Sequence, residues 1–187
     1  MRTIVNQNIE SYLSNRYHYN QPVRVAVIPF DVPETFARPG EDMHHFGRRL
    51  AKNFQEELLQ RGTFSIVELF DRESWPGKRD DFFSGNYQSI DYARNAGYDF
   101  VLIGHMQDIR NDEQLVVYSK LIDVSNSVTV WSAKATVTSS QREINKGVDS
   151  VFKGTGRPEL FYFSDQAEEV ARCTVEEMIM ADTVPEP

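Results

Sequence analysis

The sequence predicts an α/β fold: a single-domain mixed β-sheet with early strands parallel and a late hairpin antiparallel, flanked by helices. Three observations carry this. The run Val23-Arg24-Val25-Ala26-Val27-Ile28-Pro29-Phe30 is rich in β-branched residues, as a central strand buried on both faces requires. Phe46, Leu50, Phe54 and Leu58 repeat every fourth residue, which puts them on one face of a helix. Two strand-like runs, Gln114 to Val124 and Val128 to Thr138, are separated only by Ser125-Asn126-Ser127, whose short polar side chains suit a tight turn.

In chain order, Ile4, Val5, Ile9, Tyr12 and Leu13 have helix-like spacing and predict a short helix on an arm before Pro22. The strand at 23–30 runs into a loop from Asp31 to Gly40 that holds Pro33 and Pro39, then into the Phe46 helix, with Met43 and Ala51 beside its stripe. Gly62 closes that helix, and Phe64 to Phe70 reads as a second strand. Asp71 to Tyr87 mixes Trp75, Pro76, Gly77 and charges and predicts a long irregular connection. A short helix over Ser89 to Asn95 stops at Gly97, and Asp99 to Met106 is a third strand leading to the hairpin. Gln141 to Pro158, with Gly147, Gly154 and Gly156, predicts an irregular excursion. The final helix is capped by Ser164, with acidic Asp165, Glu168 and Glu169 at its positive end and a stripe of Ala167, Val170, Ala171, Thr174, Val175, Met178 and Ile179. The expected division is an N-terminal helix and arm over 1–22, an α/β core over 23–140, and an excursion with a packing helix over 141–187.

At 187 residues one domain is expected, and 40% apolar residues with 12% aromatics suit a packed core. Twenty-eight acidic against twenty basic residues leave a net charge of −8, which argues against nucleic acid as a partner. Arg48, Arg49 and Lys52 share a helix with Glu56 and Glu57 and read as a solvated face. Cys173 is the only cysteine and sits in an apolar stripe, where a small buried hydrophobe is expected rather than a reactive thiol. No stretch has the 18 or so uncharged apolar residues of a spanning helix, and the polar start from Met1 to Gln21 does not read as a leader.

No catalytic, cofactor or metal residues are assigned. His44 and His45 lie beside Glu41 and Asp42, but adjacent helical residues diverge by about 100° and share one ion poorly. His105, beside Asp108, has the place of a base at a strand end but no evident nucleophile. Lys153 precedes Gly154-Thr155-Gly156, the wrong order for a phosphate loop. Asp123 is expected to bond backbone N–H groups of the hairpin turn. The interface candidates are the aromatic residues Phe82, Phe83, Phe161, Tyr162 and Phe163, which stand in polar or glycine-flanked segments, and Trp131, on one face of the hairpin. Packing of a loop onto the domain explains the aromatic runs equally well.

Three segments together carry a family pattern. Val25 to Phe30 reads V-A-V-I-P-F, Ala93 to Gly104 reads A-x-x-x-G-Y-D-F-V-L-I-G, and Leu115 to Val124 reads L-x-V-x-x-x-L-I-D-V before Val130-Trp131-Ser132. The pattern resembles the TolB N-terminal-domain-like superfamily and its CsgG-like, LpoB-type and PelC-type envelope lipoproteins, over about Val23 to Thr138. Nothing repeats after Thr138 as a β-propeller would, no long barrel-forming strands are evident, and no proline-rich tether precedes the domain. The compact PelC-type layout is nearest.

The resemblance implies a non-enzymatic interaction module in the periplasm, an accessory lipoprotein-type subunit of an envelope assembly for polysaccharide or protein export. Its partners would be envelope proteins or further copies of itself, with no cofactor and membrane contact only through a lipid anchor or a partner. Anchoring to the outer membrane stays open, because no cysteine stands near the N-terminus. Two alternatives stand beside it: an LpoB-like activator of a peptidoglycan synthase, and a small-ligand or enzymatic domain using the strand ends near Phe30, Phe70 and His105.

Overall fold

The computed structural model describes residues 2–6, 9–18, 21–33, 45–72, 78–107, 114–138 and 163–180. The elements run β1 (Arg2–Asn6), α1 (Ile9–Arg16), β2 (Arg24–Val27), α2 (Phe46–Arg61), β3 (Ile66–Leu69), α3 (Lys78–Ser84), α4 (Tyr87–Asn95), β4 (Phe100–Met106), β5 (Gln114–Asp123), β6 (Val128–Thr138) and α5 (Phe163–Met180). The six strands form one sheet in the order β1-β6-β5-β4-β2-β3. β2 pairs in parallel with β3 and β4, whereas β4, β5, β6 and β1 pair antiparallel in succession. The mixed sheet with parallel early and antiparallel late strands is the expected architecture.

Two expectations change. Residues 2–6 form an edge strand rather than part of a helix: Thr3, Ile4 and Val5 are β-branched and favour extended backbone, and β6 offers them a free edge, with Arg2 opposite Lys134 and Thr3 opposite Ala133. The expected irregular connection at 71–87 contains α3, which the charged start of Lys78 to Asp81 conceals. Residues 34–40 of the expected loop and the whole of the expected excursion, 141–158, lie outside the described residues.

Pro29 has no N–H to donate, so β2 is short, yet the ladder continues around it. Ile28 N–H donates to Leu102 O and Asp31 N–H to Gly104 O, both at 3.0 Å. β4 is buried along its whole length, so both faces of the sheet need cover. On one face, α1, α2 and α5 pack over Phe100, Leu102, Met106, Leu115, Val117, Leu121 and Trp131. On the other, Phe82 of α3 and Ile90 and Ala93 of α4 pack over Ala26, Ile28, Val101, Ile103 and Ile122.

Phe30 ties these parts together. Its ring lies 4.9 Å from that of Phe54 on α2, and its N–H donates to Gly47 O at 3.0 Å. Two glycines permit this fit. A Cβ on Gly104 would meet the Phe30 ring at 2.4 Å, and one on Gly47 would meet the Phe30 carbonyl oxygen at 2.0 Å.

Gly104→Ala is expected to cost about 1–3 kcal/mol, as overpacking of a filled core does. The added Phe30→Leu change recovers part of it. Gly47→Ala should cost at least as much without recovery, because its nearest clash is with backbone, the Phe30 carbonyl oxygen at 2.0 Å, whereas the backbone oxygen nearest Gly104, that of Tyr118, would stand 2.7 Å from the added Cβ. Urea midpoints of the four proteins, wild type included, test this ordering.

Candidate interaction surface

The helices over the second face of the sheet are short: α3 has seven residues and α4 nine. They are locked to each other by Asp81, a buried carboxylate that accepts from Gln88 N–H and Ser89 N–H at 3.1 Å and from the Ser89 hydroxyl at 2.6 Å. This carboxylate caps the amino end of α4, where exposed N–H groups and the helix dipole favour negative charge. Among the described residues, the pair lies over β4 and leaves part of β5 and β6 uncovered. On that face the strands carry Tyr118 and Lys120 from β5, and Ser132, Lys134 and Thr136 from β6. Lys134 and Thr136 are exposed.

At the border between covered and uncovered sheet stands an aromatic cluster. His105 is 3% exposed, stacked on Tyr118 at 4.9 Å and 5° and met edge-on by Phe82 at 4.7 Å and Phe83 at 4.9 Å. Such edge-to-face and offset contacts match positive ring edges to negative faces. Phe82 is 6% exposed and therefore belongs to the core, whereas Phe83 is 67% exposed. Lys120 completes the border. Its ammonium donates to Phe82 O at 2.8 Å and lies 4.1 Å from the Phe82 ring centroid in a cation–π contact. Burial pushes its pKa below the ordinary lysine range, with the Asp81 charge acting in the opposite sense. A groove of about 160 Å³ runs beside it, lined by Phe82, Tyr118, Ser119, Lys120, Ser132, Ala133 and Lys134.

The other interface candidates fall elsewhere. Trp131 is fully buried, packed in the first-face core, and presents nothing to a partner. It alternates with Ala133 and Ala135 on the inward side of β6, which α5 covers. Leu121 pairs with Trp131 but Ile122 with Thr129, so Val130 is an extra residue on β6 and turns inward as well. Phe161 and Tyr162 lie outside the described residues. Phe163 begins α5.

At the carboxyl ends of β2 and β4, where a ligand-binding α/β sheet would open, Phe30 packs against Phe54 on one face and His105 against Phe82, Phe83 and Tyr118 on the other. The segments that follow β2, β3 and β4, at 34–44, 73–77 and 108–113, lie outside the described residues. Among the described residues, no group of three or more His, Cys, Asp or Glu is placed to hold a metal ion. His45 lies exposed just before α2, and His44 lies outside the described residues. No described helix is long and apolar enough to cross a membrane. Cys173 is half-buried and its thiol is pushed up, first by burial and then by its hydrogen bond to Glu169, opposite to what a reactive thiolate needs.

A wider cleft of about 530 Å³ lies at the other end of the sheet, lined by Arg16, Tyr17, Gln21, Arg94, Tyr98, Asp99, Val124 and Ser125. Its charged groups are already engaged. Asp123, fully buried, accepts on one oxygen from Ser125 N–H at 2.9 Å and the Ser125 hydroxyl at 2.6 Å. On the other it meets Arg16 Nε at 2.6 Å and the Tyr12 hydroxyl at 2.7 Å. Arg16 also bonds the Ser125 hydroxyl, and Arg94 donates to Val124 O at 2.7 Å. Asp123 thus makes the expected turn bonds and in addition clamps α1. The sequence signal for that second role was only the spacing of Tyr12 and Arg16 one turn apart on α1.

No protein-family model matches the chain, and a search of curated proteins returned no match. Solved structures do resemble it. The PelC dodecamer from Paraburkholderia phytofirmans superposes with a TM-score of 0.55 at 17% identity, covering 95% of this chain and 94% of that one. A point variant of that dodecamer in another crystal form gives 0.50 at 19% identity, covering 84% and 89%. The LpoB C-terminal domain from Salmonella enterica gives 0.42 at 14% identity, covering 72% and 96%. The PelC superpositions, over nearly full length, establish a shared fold.

Two outcomes are expected. Asp123→Ala should cost about 2 kcal/mol or more, since the hydrogen bonds and ion pair of a buried carboxylate are lost together, and Tyr12→Phe about 1 kcal/mol; chemical denaturation measures both. Burial first, then the charges of Asp99 and Asp123, push the Tyr17 hydroxyl up to about 12. A raised folded pKa favours the neutral phenol, so this contribution is whole below the unfolded value near pH 10 and is lost as pH rises toward 12. Tyr17→Phe should flatten the alkaline fall in stability.

Proposed function

We propose that the chain is a non-enzymatic interaction module of the bacterial cell envelope, acting in the periplasm as an accessory subunit of an export or wall-building assembly. The observation that carries this reading is the uncovered β5–β6 face bordered by Phe83. A phenyl ring held two-thirds in water beside an apolar groove is the kind of feature that marks a binding site rather than a passive surface. The cationic rim of Lys120 and Lys134 adds selectivity for an acidic or hydrogen-bond-accepting partner.

Two further points support the reading. The His105 ring, at the strand end that an α/β enzyme would use, is engaged by Phe82, Phe83 and Tyr118. The PelC neighbour is a dodecamer, and a chain of the same fold with an open sheet face is suited to repeated contacts of that kind. The accessory role itself, polysaccharide or protein export, comes from this likeness of fold.

The test is fractionation combined with site-directed photo-crosslinking from position 83 in the native host. The protein is expected in the periplasmic or outer-membrane fraction, crosslinked to an envelope protein or to another copy. A purely cytosolic protein without crosslinks would overturn the proposal. The enzymatic alternative is tested separately: a metabolite that raises the melting temperature of the wild type but not of His105→Ala would favour it.

A further inference from the structure

We propose that the groove beside α3 is occupied by a second copy of this chain, the Phe83 ring of one copy entering the groove of the next. The inference rests on the reading of the chain as an interaction module and names the contact.

The groove and the ring match in size. The groove measures about 160 Å³, and a cavity of roughly 150 Å³ lined by apolar side chains takes up one benzene ring. Phe83 offers such a ring. It is 67% exposed, yet its orientation is fixed by edge contacts with Phe82 at 5.3 Å and His105 at 4.9 Å, so little rotamer freedom remains to be lost on docking. The floor of the groove also rests on fixed groups: Phe82 and Ala133 are buried, and Lys120 is tied to Phe82 O.

The charges around them match as well. The whole chain carries −8, so two copies repel at long range and a stable contact needs local opposite charges. The structure supplies them. Asp80 is exposed in the first turn of α3, three residues before Phe83 and therefore on the same side of the helix. Lys134 is exposed at the groove, its ammonium 5.3 Å from the Tyr118 ring centroid. A copy that inserts Phe83 carries Asp80 to the rim where the other copy presents Lys134. Ring and carboxylate thus form one half of the contact, groove and ammonium the other, and every copy has both.

Sedimentation velocity across a wide dilution series tests this with the wild type, Phe83→Ser, Asp80→Lys, Lys134→Asp and the double variant Asp80→Lys/Lys134→Asp. These sites are exposed, and circular dichroism melts confirm that each variant is folded. The wild type is expected to assemble with rising concentration. Phe83→Ser should weaken assembly by at least about tenfold, as loss of a central aromatic contact does. Each single charge change should weaken it too, and the double exchange should restore it, because the opposite charges then meet again with their signs reversed. Assembly of Phe83→Ser equal to the wild type, or no recovery in the double variant, would overturn the proposal. A monomeric wild type also overturns it. If position 83 then crosslinks to a different envelope protein, the module reading survives while the self-contact does not.

Discussion

The strand at the centre of the sheet, β4, is buried on both sides, and a sheet with two apolar faces must find cover for both. One face has it in full. The sixteen-residue α2 and eighteen-residue α5, with α1 beside them, span the strands from β2 to β6. Among the described residues, the other face has only α3 and α4. At about 1.5 Å per residue these are roughly 10 and 14 Å long, and each covers a band about one helix wide, some two strands at their usual spacing of about 4.8 Å. Cover therefore runs out at β5. The composition of β6 agrees: its inward side holds Trp131, Ala133 and Ala135, all buried, while the same strand turns Ser132, Lys134 and Thr136 toward the uncovered side.

Two polar devices hold this unequal arrangement in register. Asp81 binds α3 to α4 through the latter's amino end, so the covering pair moves as a unit. Asp123 binds the hairpin turn to α1 across more than a hundred residues of sequence. Both are buried carboxylates whose burial is offset by several donors each. Between them, Phe30 seats α2 on the sheet through contacts that tolerate nothing larger than glycine at positions 47 and 104.

Much of the fold was legible in the residues. The helix over 46–61, the strands after it and the hairpin over 114–138 followed from period and turn chemistry, because each buries a simple stripe or face. What was not legible depended on partners distant in sequence. Residues 2–6 have a β-branched core but read as helix until β6 is there to pair with them. Trp131 was taken for an interface candidate because alternation along β6 separates its two faces without telling which of them a helix covers. Phe82 and Phe83 looked alike in sequence, yet the short α3 turns one into the core and leaves the other in water. Tyr118, Lys120 and Lys134 were not singled out, though the alternation of polar residues along β5 and β6 held the signal.

The candidate surface thus follows from incomplete helical cover rather than from a motif, and an exposed ring beside a ring-sized groove is its sharpest feature. Hydroxyl-radical footprinting of the wild-type chain as its concentration rises reads that surface most directly. The account predicts growing protection of Phe83 and Tyr118, with Tyr92 on α4 unchanged. Protection confined to other faces, with Phe83 as reactive at high concentration as at low, would contradict it.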